Sequence, residues 1–348
     1  MKKRVYVGLS GGVDSSLTAA LLKEQGYDVT AVYMKNWTKD IAGFICPWQQ
    51  DFEDAKRVAV SLDIPLKVYD FENDYRRKVV DYMIEGYRNG ITPNPDIICN
   101  QEIKFKLFLS TALDEGADLI ATGHYAVVKD GHLKTAKDKN KDQTYFLYRM
   151  PTESISKVLM PIGDYLKADV RREAKKRNLI TADKKDSQGI CFIGEVGIKE
   201  FLIEELGPQP IGDIIDENGK VIGRHDGAIF YTIGQRHGLN VGGGLPYYVT
   251  NKDMTKNIVY VTTKLDDNNL WKEELKLSKF YFTYPNFDFA NKELTAVCRY
   301  RAKEIGCKLI VDDNNARVIL DEPVRAISPG QSVVIYCNDL VIGGGIVI

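Results

Sequence analysis

The chain has 348 residues, 44% of them hydrophobic, and a formal net charge of −1. That length points to two or three domains with cores of their own, and the near-neutral charge removes a global basic field while leaving local basic patches open to RNA. Six cysteines without a C-x-x-C pair argue against a zinc ribbon and a disulfide framework; with no signal peptide and no apolar run of membrane length, a cytoplasmic protein without a membrane partner is expected.

Val5 to Leu9 is an apolar run that breaks on Ser10-Gly11-Gly12. A helical pattern then starts at Val13, with Leu17, Ala20 and Leu21 on one face. A strand, a Gly-rich turn and a helix start in that order aim backbone N–H groups and the positive end of a helix dipole into the turn. Ser10, Ser15 and Ser16 add hydroxyls, so the natural ligand is phosphate. The loop lacks the Lys of G-x-x-x-x-G-K-[ST], and its adjacent glycines break G-x-G-x-x-G.

Val29 to Met34 reads as the second strand, Phe52 to Leu62 as an amphipathic helix capped by Asp51, and Pro65 to Tyr69 as the third strand. Tyr75 to Tyr87 is helical. A polar, proline-rich loop follows from Asn89 to Asn100, then a helix from Gln101 to Leu113 and a strand from Asp118 to Thr122 ending in Gly123-His124. This alternation predicts a doubly wound parallel sheet of the α/β class, with ligands beyond the carboxyl ends of its strands. The Ser-Gly turn, Met34 and Gly123-His124 all fall at such ends. Lys141 to Tyr148 is expected to open another helix, Asp169 to Lys176 reads as a charged helix, and Ile198 to Leu206 as the last helix of this half.

From Gly207-Pro208 onward the chain turns to short alternating runs with Asn218-Gly219 and Asp226-Gly227 as hairpin signals. Trp271 to Glu274 marks a second boundary. Strands at Leu275, Thr295, Cys307, Arg317, Ser332 and Val341 fit a small barrel. The expected division is a catalytic domain over 1–206, a small β-rich central domain over 207–271 and a C-terminal β-barrel over 272–348.

Cys99 lies between the Pro-rich loop and a helix. It is either a thiol activated at a helix N-terminus or a buried small hydrophobe, and its polar neighbours Asn94, Asp96, Asn100 and Gln101 favour an accessible loop. Cys191 poses the same choice after Lys184-Lys-Asp-Ser-Gln-Gly189. Cys298, Cys307 and Cys337 fall in strand-like runs and read as core; Cys46 is ambiguous. Asp96 is a general acid or base, or a turn cap after Pro95. His124 is a site residue or is satisfied locally. Lys141-Asp142-Gln143 is a helix cap or a phosphate contact, and Tyr300-Arg301 a solvated basic strand face or an RNA surface.

Ser10-Gly-Gly-Val-Asp-Ser15 resembles the pyrophosphate loop of the ATP pyrophosphatases, in which ATP adenylates a substrate and pyrophosphate leaves. A wider set of stretches is similar to the tRNA-specific 2-thiouridylase (MnmA) family: Gly8 to Ser15, Met34-Lys-Asn-Trp37, Asn94-Pro-Asp-Ile-Ile-Cys-Asn100 with Ile103-Lys-Phe105, Thr122-Gly-His-Tyr125, Lys141 to Tyr148, Asp186-Ser-Gln-Gly-Ile-Cys-Phe-Ile193, Tyr231-Thr-Ile-Gly-Gln-Arg-His-Gly238, Arg299-Tyr-Arg301 and Ser328-Pro-Gly-Gln331. The resemblance implies ATP-dependent 2-thiolation of the wobble uridine of tRNA, by adenylation of O2 and attack of a persulfide sulfur. It places ATP on Gly8, Leu9, Ser10, Gly11, Gly12, Val13, Asp14, Ser15, Met34 and Gly123, with Mg2+ accompanying the pyrophosphate. It places the target base on Asn94, Pro95 and Asp96, and tRNA contacts at His124, Lys141, Asp142, Gln143, Tyr300, Arg301 and Gln331. Cys99 is then the nucleophile and Cys191 the persulfide carrier, able to pair as a disulfide. The partners are tRNA and a persulfide-delivering relay protein or cysteine desulfurase. Cys46, Cys99 and Cys191 supply enough thiolates for an iron–sulfur cluster, but their spacing does not demand one and it is not favoured. The rival readings are a pyrophosphatase-loop enzyme with a small-molecule substrate and a non-catalytic RNA-binding protein.

Overall fold

The computed structural model describes residues 2–41, 43–186, 197–239, 241–242, 246–285 and 287–348. The first half opens with β1 (Arg4–Gly8), α1 (Val13–Glu24), β2 (Asp28–Lys35), α2 (Trp48–Ser61) and β3 (Leu66–Asp70). α3 (Glu72–Tyr75), a π-helical stretch Arg76–Val80 and α4 (Asp81–Arg88) follow. Then come α5 (Pro95–Ile98), a second π-helical stretch Cys99–Phe108, α6 (Leu109–Asp114), β4 (Leu119–Ala121), the hairpin β5 (Ala126–Lys129) and β6 (His132–Thr135), α7 (Thr152–Ile155), β7 (Val158–Leu159), α8 (Lys167–Lys176) and α9 (Ile198–Leu206).

Five parallel strands form one sheet in the order β3-β2-β1-β4-β7. The chain walks outward from β1 to β3 on one side and from β4 to β7 on the other. The crevice at the carboxyl ends of β1 and β4 is therefore the topological switch point where such sheets bind ligands. Val5 and Val7 are fully buried, as expected of a strand covered on both faces. α1 differs from the one-sided helix its Leu17, Ala20 and Leu21 suggest. Val13 and every residue from Ser15 to Leu22 are buried, because α8 covers the side turned away from the sheet.

Three further elements depart from the sequence expectation. α2 starts at Trp48 rather than after Asp51, with Pro47 as its cap residue, so Asp51 lies inside the first turn. The proline-rich loop ends earlier than expected: Pro95 is the first residue of α5, where its missing N–H costs nothing, and Asn94 Oδ1 accepts from the Ile97 N–H at 3.4 Å. Lys141 to Tyr148 makes only a 3₁₀ turn at Thr144–Phe146. Its tyrosines are drawn across to the C-terminal part instead: Tyr145 donates to Ser332 O at 2.9 Å, and the Tyr148 hydroxyl meets Ser332 Oγ at 3.1 Å.

The middle of the chain holds β8 (Gly212–Ile215), β9 (Val221–His225), β10 (Tyr248–Asp253) and β11 (Ile258–Thr262), in a sheet ordered β10-β11-β8-β9. Asn218-Gly219 does turn the β8–β9 hairpin, whereas Asp226-Gly227 leads into a 3₁₀ turn, Ala228–Phe230. The last part is β12 (Trp271–Phe282), β13 (Leu294–Val297), β14 (Ile305–Asp312), β15 (Asn315–Arg325), β16 (Ser332–Cys337) and β17 (Leu340–Val347). β12 pairs with β15 through its first half and with β17 through its second, which closes six antiparallel strands into a barrel.

The barrel is not hung on a linker alone. β6 of the first half adds to the β17 edge, with Lys134 opposite Leu340. Val297, Val334, Tyr336 and Val341 of the barrel join the apolar cluster that holds Tyr145, Tyr148 and Phe108. Burial of that shared face ties the barrel to the first half.

Candidate functional site

β1 delivers the chain to the crevice at Gly8, and the Leu9 N–H is still tied to Val32 O at 2.8 Å. Gly11 then sits at φ +74, and a Cβ there would lie 2.3 Å from Asp51 O, so the turn needs glycine for both conformation and space. No side chain caps α1 at Gly12. The amides of the first helical turn thus keep their hydrogen-bonding capacity for a ligand. The hydroxyls organise the turn from inside: Ser15 Oγ accepts from the Ser10 N–H at 3.2 Å and donates to Gly12 O, and Ser16 Oγ donates to Gly12 O at 2.7 Å. Gly123, just past β4, comes so close that a Cβ would stand 2.7 Å from Ser15 N. The Met34 methyl lies 3.0 Å from a Cβ placed on Gly8. Gly8, Ser15, Met34 and Gly123 are therefore brought together at the switch point.

Asp14 faces an ion network. Lys167 Nζ donates to its two oxygens at 2.7 and 2.9 Å, and the Tyr125 hydroxyl adds a bond at 2.8 Å. Lys167 also reaches Asp186 Oδ1 at 2.9 Å, where Arg171 arrives at 2.7 Å, and Lys141 holds the other oxygen, Oδ2, at 2.7 Å. Burial pushes the Asp186 carboxyl up, but hydrogen bonds from Lys141 and Lys167 outweigh it and hold the group at about 2. Asp186 is thus an anion that fastens the chain just before residues 187–196. Cys191 lies outside the described residues. Lys167 was not legible as a site residue: one lysine opening a charged helix carries no pattern.

The nucleophile candidate sits differently from expectation. Cys99 follows directly on α5, in the second turn of the helical run rather than at its edge, and is 3% exposed. It is a buried thiol, not a residue of an accessible loop. Beneath it, burial raises the Asp96 carboxyl above the usual range, with the Lys104 charge opposing. Lys104 Nζ faces His124 Nε2 at 3.4 Å, so that nitrogen accepts and Nδ1–H donates to Thr122 Oγ1 at 2.8 Å. Burial first, and the Lys104 charge second, hold the His124 pKa well below its ordinary value. His124 is therefore a buried neutral ring, packed on Phe105 at 5.6 Å, and presents no charge to an RNA phosphate in this conformation. Through Gly123, His124 and Lys104 the Gly8–Ser15 loop is connected to Asp96, which lies within electrostatic reach of Lys104 and three residues before Cys99.

The other predicted RNA residues divide into two groups. Lys141, Asp142, Tyr300 and Arg301 converge on a cavity of about 530 Å³ between the first half and the barrel. There Tyr300 packs on Phe146 at 4.5 Å, with the Arg301 guanidinium 5.0 Å from its ring. Arg301 itself adopts φ +61, an uncommon conformation for a side chain of that size. Asp142 and Gln143 are used internally: Asp142 accepts from Thr144 N and Ala136 N, and Gln143 Oε1 accepts from Tyr125 N at 2.9 Å. Gln331 is not in the cavity. Its Nε2 donates to Thr92 O at 2.8 Å, while the Thr92 N–H donates to Pro329 O at 2.8 Å and its hydroxyl meets that of Thr232 at 3.2 Å. Thr92 is where all three parts of the chain meet, just ahead of Asn94. A wider cavity of about 930 Å³ lies at the amino ends of β1, β2 and β4, lined by Lys2, Lys3, Arg4 and Lys157. It is at the wrong pole of the sheet for the chemistry of the phosphate loop.

The remaining thiols read as structural. Cys298 and Cys307 are buried, which pushes them up to about 11 and about 12, and both line the barrel core. Cys46 and Cys337 are part-buried. Among the described residues no group of three or more metal-ligating side chains occurs, and no helix is long and apolar enough to cross a membrane.

Comparison with known proteins gives consecutive matches along the chain. Residues 3–195 match the family model described as tRNA methyl transferase HUP domain, 199–263 the tRNA methyl transferase PRC-barrel domain, and 272–347 the aminomethyltransferase beta-barrel domain. A tRNA-specific 2-thiouridylase MnmA of Staphylococcus aureus (strain bovine RF122 / ET3-1) is 47% identical over 99% of this chain and 95% of its own length. Its counterpart in Staphylococcus epidermidis (strain ATCC 35984) is 48% identical over 98% of this chain and 94% of its own. Among solved structures, the U34-tRNA thiolase NcsA from Methanococcus maripaludis with its [4Fe-4S] cluster is 18% identical, covering 54% of this chain and 62% of that one at TM-score 0.38.

Proposed function

The chain belongs to the tRNA-specific 2-thiouridylase (MnmA) family and is a tRNA sulfurtransferase; on that premise we propose that it activates the wobble uridine of tRNA with ATP and delivers sulfur to C2 from a cysteine persulfide. The observation that carries this reading is the connection, through Gly123, His124 and Lys104, between the uncapped loop at Gly8–Ser15 and Asp96, three residues before Cys99. A carbonyl oxygen of uracil is a poor leaving group, so it must first be adenylated. That requires a phosphate site beside a base pocket, closed to water. The proposed catalytic region covers residues 1–206, the central domain 207–271 and the RNA-binding barrel 272–348.

In this scheme Gly8 to Ser15, Met34 and Gly123 hold ATP, with pyrophosphate on the N–H groups of the first turn of α1. Mg2+ would be carried in on the phosphate oxygens, where it would supply positive charge, with few ligands from the chain, since Asp14 and Asp186 are engaged by Lys167, Lys141 and Arg171. Asn94 and Pro95 border the flipped base, and Asp96, its basicity raised by burial, takes the N3 proton as O2 attacks the α-phosphorus. The terminal sulfur of a persulfide on Cys191 then attacks C2, and AMP leaves. The Cys99 thiolate attacks the Cys191 sulfur, breaking the S–S bond to the base. 2-Thiouridine is released and a Cys99–Cys191 disulfide forms, which an external thiol reduces. The sulfur reaches Cys191 from a persulfide-bearing relay protein or a desulfurase.

The test separates the two cysteines. Cys191→Ser is expected to refuse labelled persulfide sulfur, while Cys99→Ser accepts it at Cys191 and makes no thiouridine. Both are expected to keep tRNA-dependent pyrophosphate release, since activation precedes sulfur attack. A Cys191→Ser enzyme that thiolates tRNA from a protein persulfide would refute the scheme.

A further inference from the structure

One guanidinium outside the sites above is part-buried and has two nitrogens without a hydrogen-bond partner among the described residues. Arg325, the last residue of β15, has Nε and Nη2 shielded from solvent and bonded to nothing. Its guanidinium lies 4.4 Å from the ring of Tyr248, at the start of β10, so it sits on the seam between the central domain and the barrel. Among the described residues no carboxylate pairs with it. The nearby charge is of the same sign: Arg299 is within electrostatic reach, and its own pKa is lowered by burial and, more weakly, by Arg325.

The seam is also conformationally tight. Ala326, next to Arg325, holds φ +58, where an L side chain is strained. Its Cβ would meet one placed on Gly234 at 2.4 Å. The segment Gly234-Gln-Arg-His-Gly238 is thereby seated against the Arg325 turn. Gln235 braces that segment from within, accepting from Thr232 N at 3.0 Å and donating to His237 O at 2.9 Å, which leaves Arg236 and His237 exposed.

We propose that Arg325 is a phosphate clamp at the seam between the central domain and the barrel, binding a backbone phosphodiester of the tRNA. The assignment rests on the RNA-binding reading above. A planar guanidinium offers a fork of N–H donors that fits two phosphate oxygens, and stacking on Tyr248 fixes the plane of that fork before RNA arrives. Arg325 and Arg299 stand near each other with no acid paired to either among the described residues; a phosphate supplies the anion.

The experiment is tRNA binding against NaCl concentration for wild type and Arg325→Met, using an unmodified substrate transcript, with ATP binding measured in parallel. The expected result is a log–log salt slope shallower by about 0.7–0.9, the loss of one phosphate contact, with ATP affinity unchanged. An Arg325→Met chain that binds ATP and shows the wild-type slope and tRNA affinity would overturn the clamp while leaving the RNA-binding reading intact. Wild-type chain that fails to bind tRNA at any salt would instead remove that reading. If Arg325→Met loses ATP binding through misfolding, Arg325→Lys decides: the clamp predicts a retained slope with weakened affinity, and wild-type affinity contradicts it. Weakened capture of a persulfide-bearing protein with tRNA binding untouched would show that the seam serves an acidic protein partner, against the proposal.

Discussion

The proposed phosphate loop and the proposed RNA-facing seam are built in opposite ways. The loop is contiguous. A strand end, one turn and one helix start bring Gly8 to Ser15 together, and tertiary structure adds mainly Met34 and Gly123. The seam is assembled. Lys141, Tyr300 and Gln331 come from distant parts of the chain, and each is placed by packing between the first half and the barrel. The comparison teaches that damage to the loop should remove a chemical step outright, while damage to the seam should spread thinly over affinity, rate and stability.

Gly123→Ala breaks the loop side hardest. The added methyl stands 2.7 Å from Ser15 N, where backbone has to move. Pyrophosphate release is expected to fall by about 10²–10³-fold, as for loss of a preorganised charge-stabilising donor, with tRNA affinity retained. Asp14→Ala should act alike, because Lys167 loses two of its hydrogen bonds and swings toward Asp186. Wild-type pyrophosphate release in both variants would dissolve the distinction between loop and seam.

Gln331→Ala probes the seam where it touches the catalytic half. Thr92 O loses its donor, at about 1 kcal/mol of stability for a hydrogen bond of this kind. The turnover number for thiolation should drop several-fold, and Cys99 alkylation without tRNA should change rate. A variant that weakens tRNA binding and leaves alkylation untouched would make Gln331 a simple RNA contact. Arg301→Ala is expected to do less: tRNA affinity weakens and the salt slope falls by about 0.7–0.9, with ATP affinity unchanged. A wild-type slope would leave the cavity without an RNA phosphate.

The smallest effect is a pH dependence at His124. His124 is held neutral by burial, so its folded pKa is depressed below 6.5 and the unfolded chain binds the extra proton first. Stability contributed by the neutral ring is present above pH 6.5 and declines as pH falls, by at most about 1.4 kcal/mol per pH unit. Urea midpoints of His124→Asn should fall less steeply between pH 7 and 5 than those of wild type. Parallel curves would place the titration elsewhere.

This contrast also explains what the sequence revealed. The loop and the six barrel strands were legible because local period and turn residues define them. Pro95 misled in position, since a proline reads as loop until Asn94 is seen capping the helix it opens. Cys99 read as accessible because its neighbours are polar, yet in the helical run Asn100 and Gln101 turn toward Phe146 and Arg149, and the thiol is inside. Lys141 to Tyr148 read as a helix because nothing local announces that Tyr145 and Tyr148 bond to Ser332. Lys104 was legible only as the middle of Ile103-Lys-Phe105, with no role attached, and Lys167 and Thr92 carried no signal; their importance lies in what the fold sets opposite them.

The most direct test is mass spectrometry of nucleosides from tRNA incubated with the chain, Mg2+-ATP and a protein persulfide donor, for wild type beside Gly123→Ala and Cys99→Ser. The account predicts 2-thiouridine only with wild type, with pyrophosphate release surviving in Cys99→Ser and lost in Gly123→Ala. Thiouridine formed by Gly123→Ala at the wild-type rate, or formed by wild type without ATP, would contradict it.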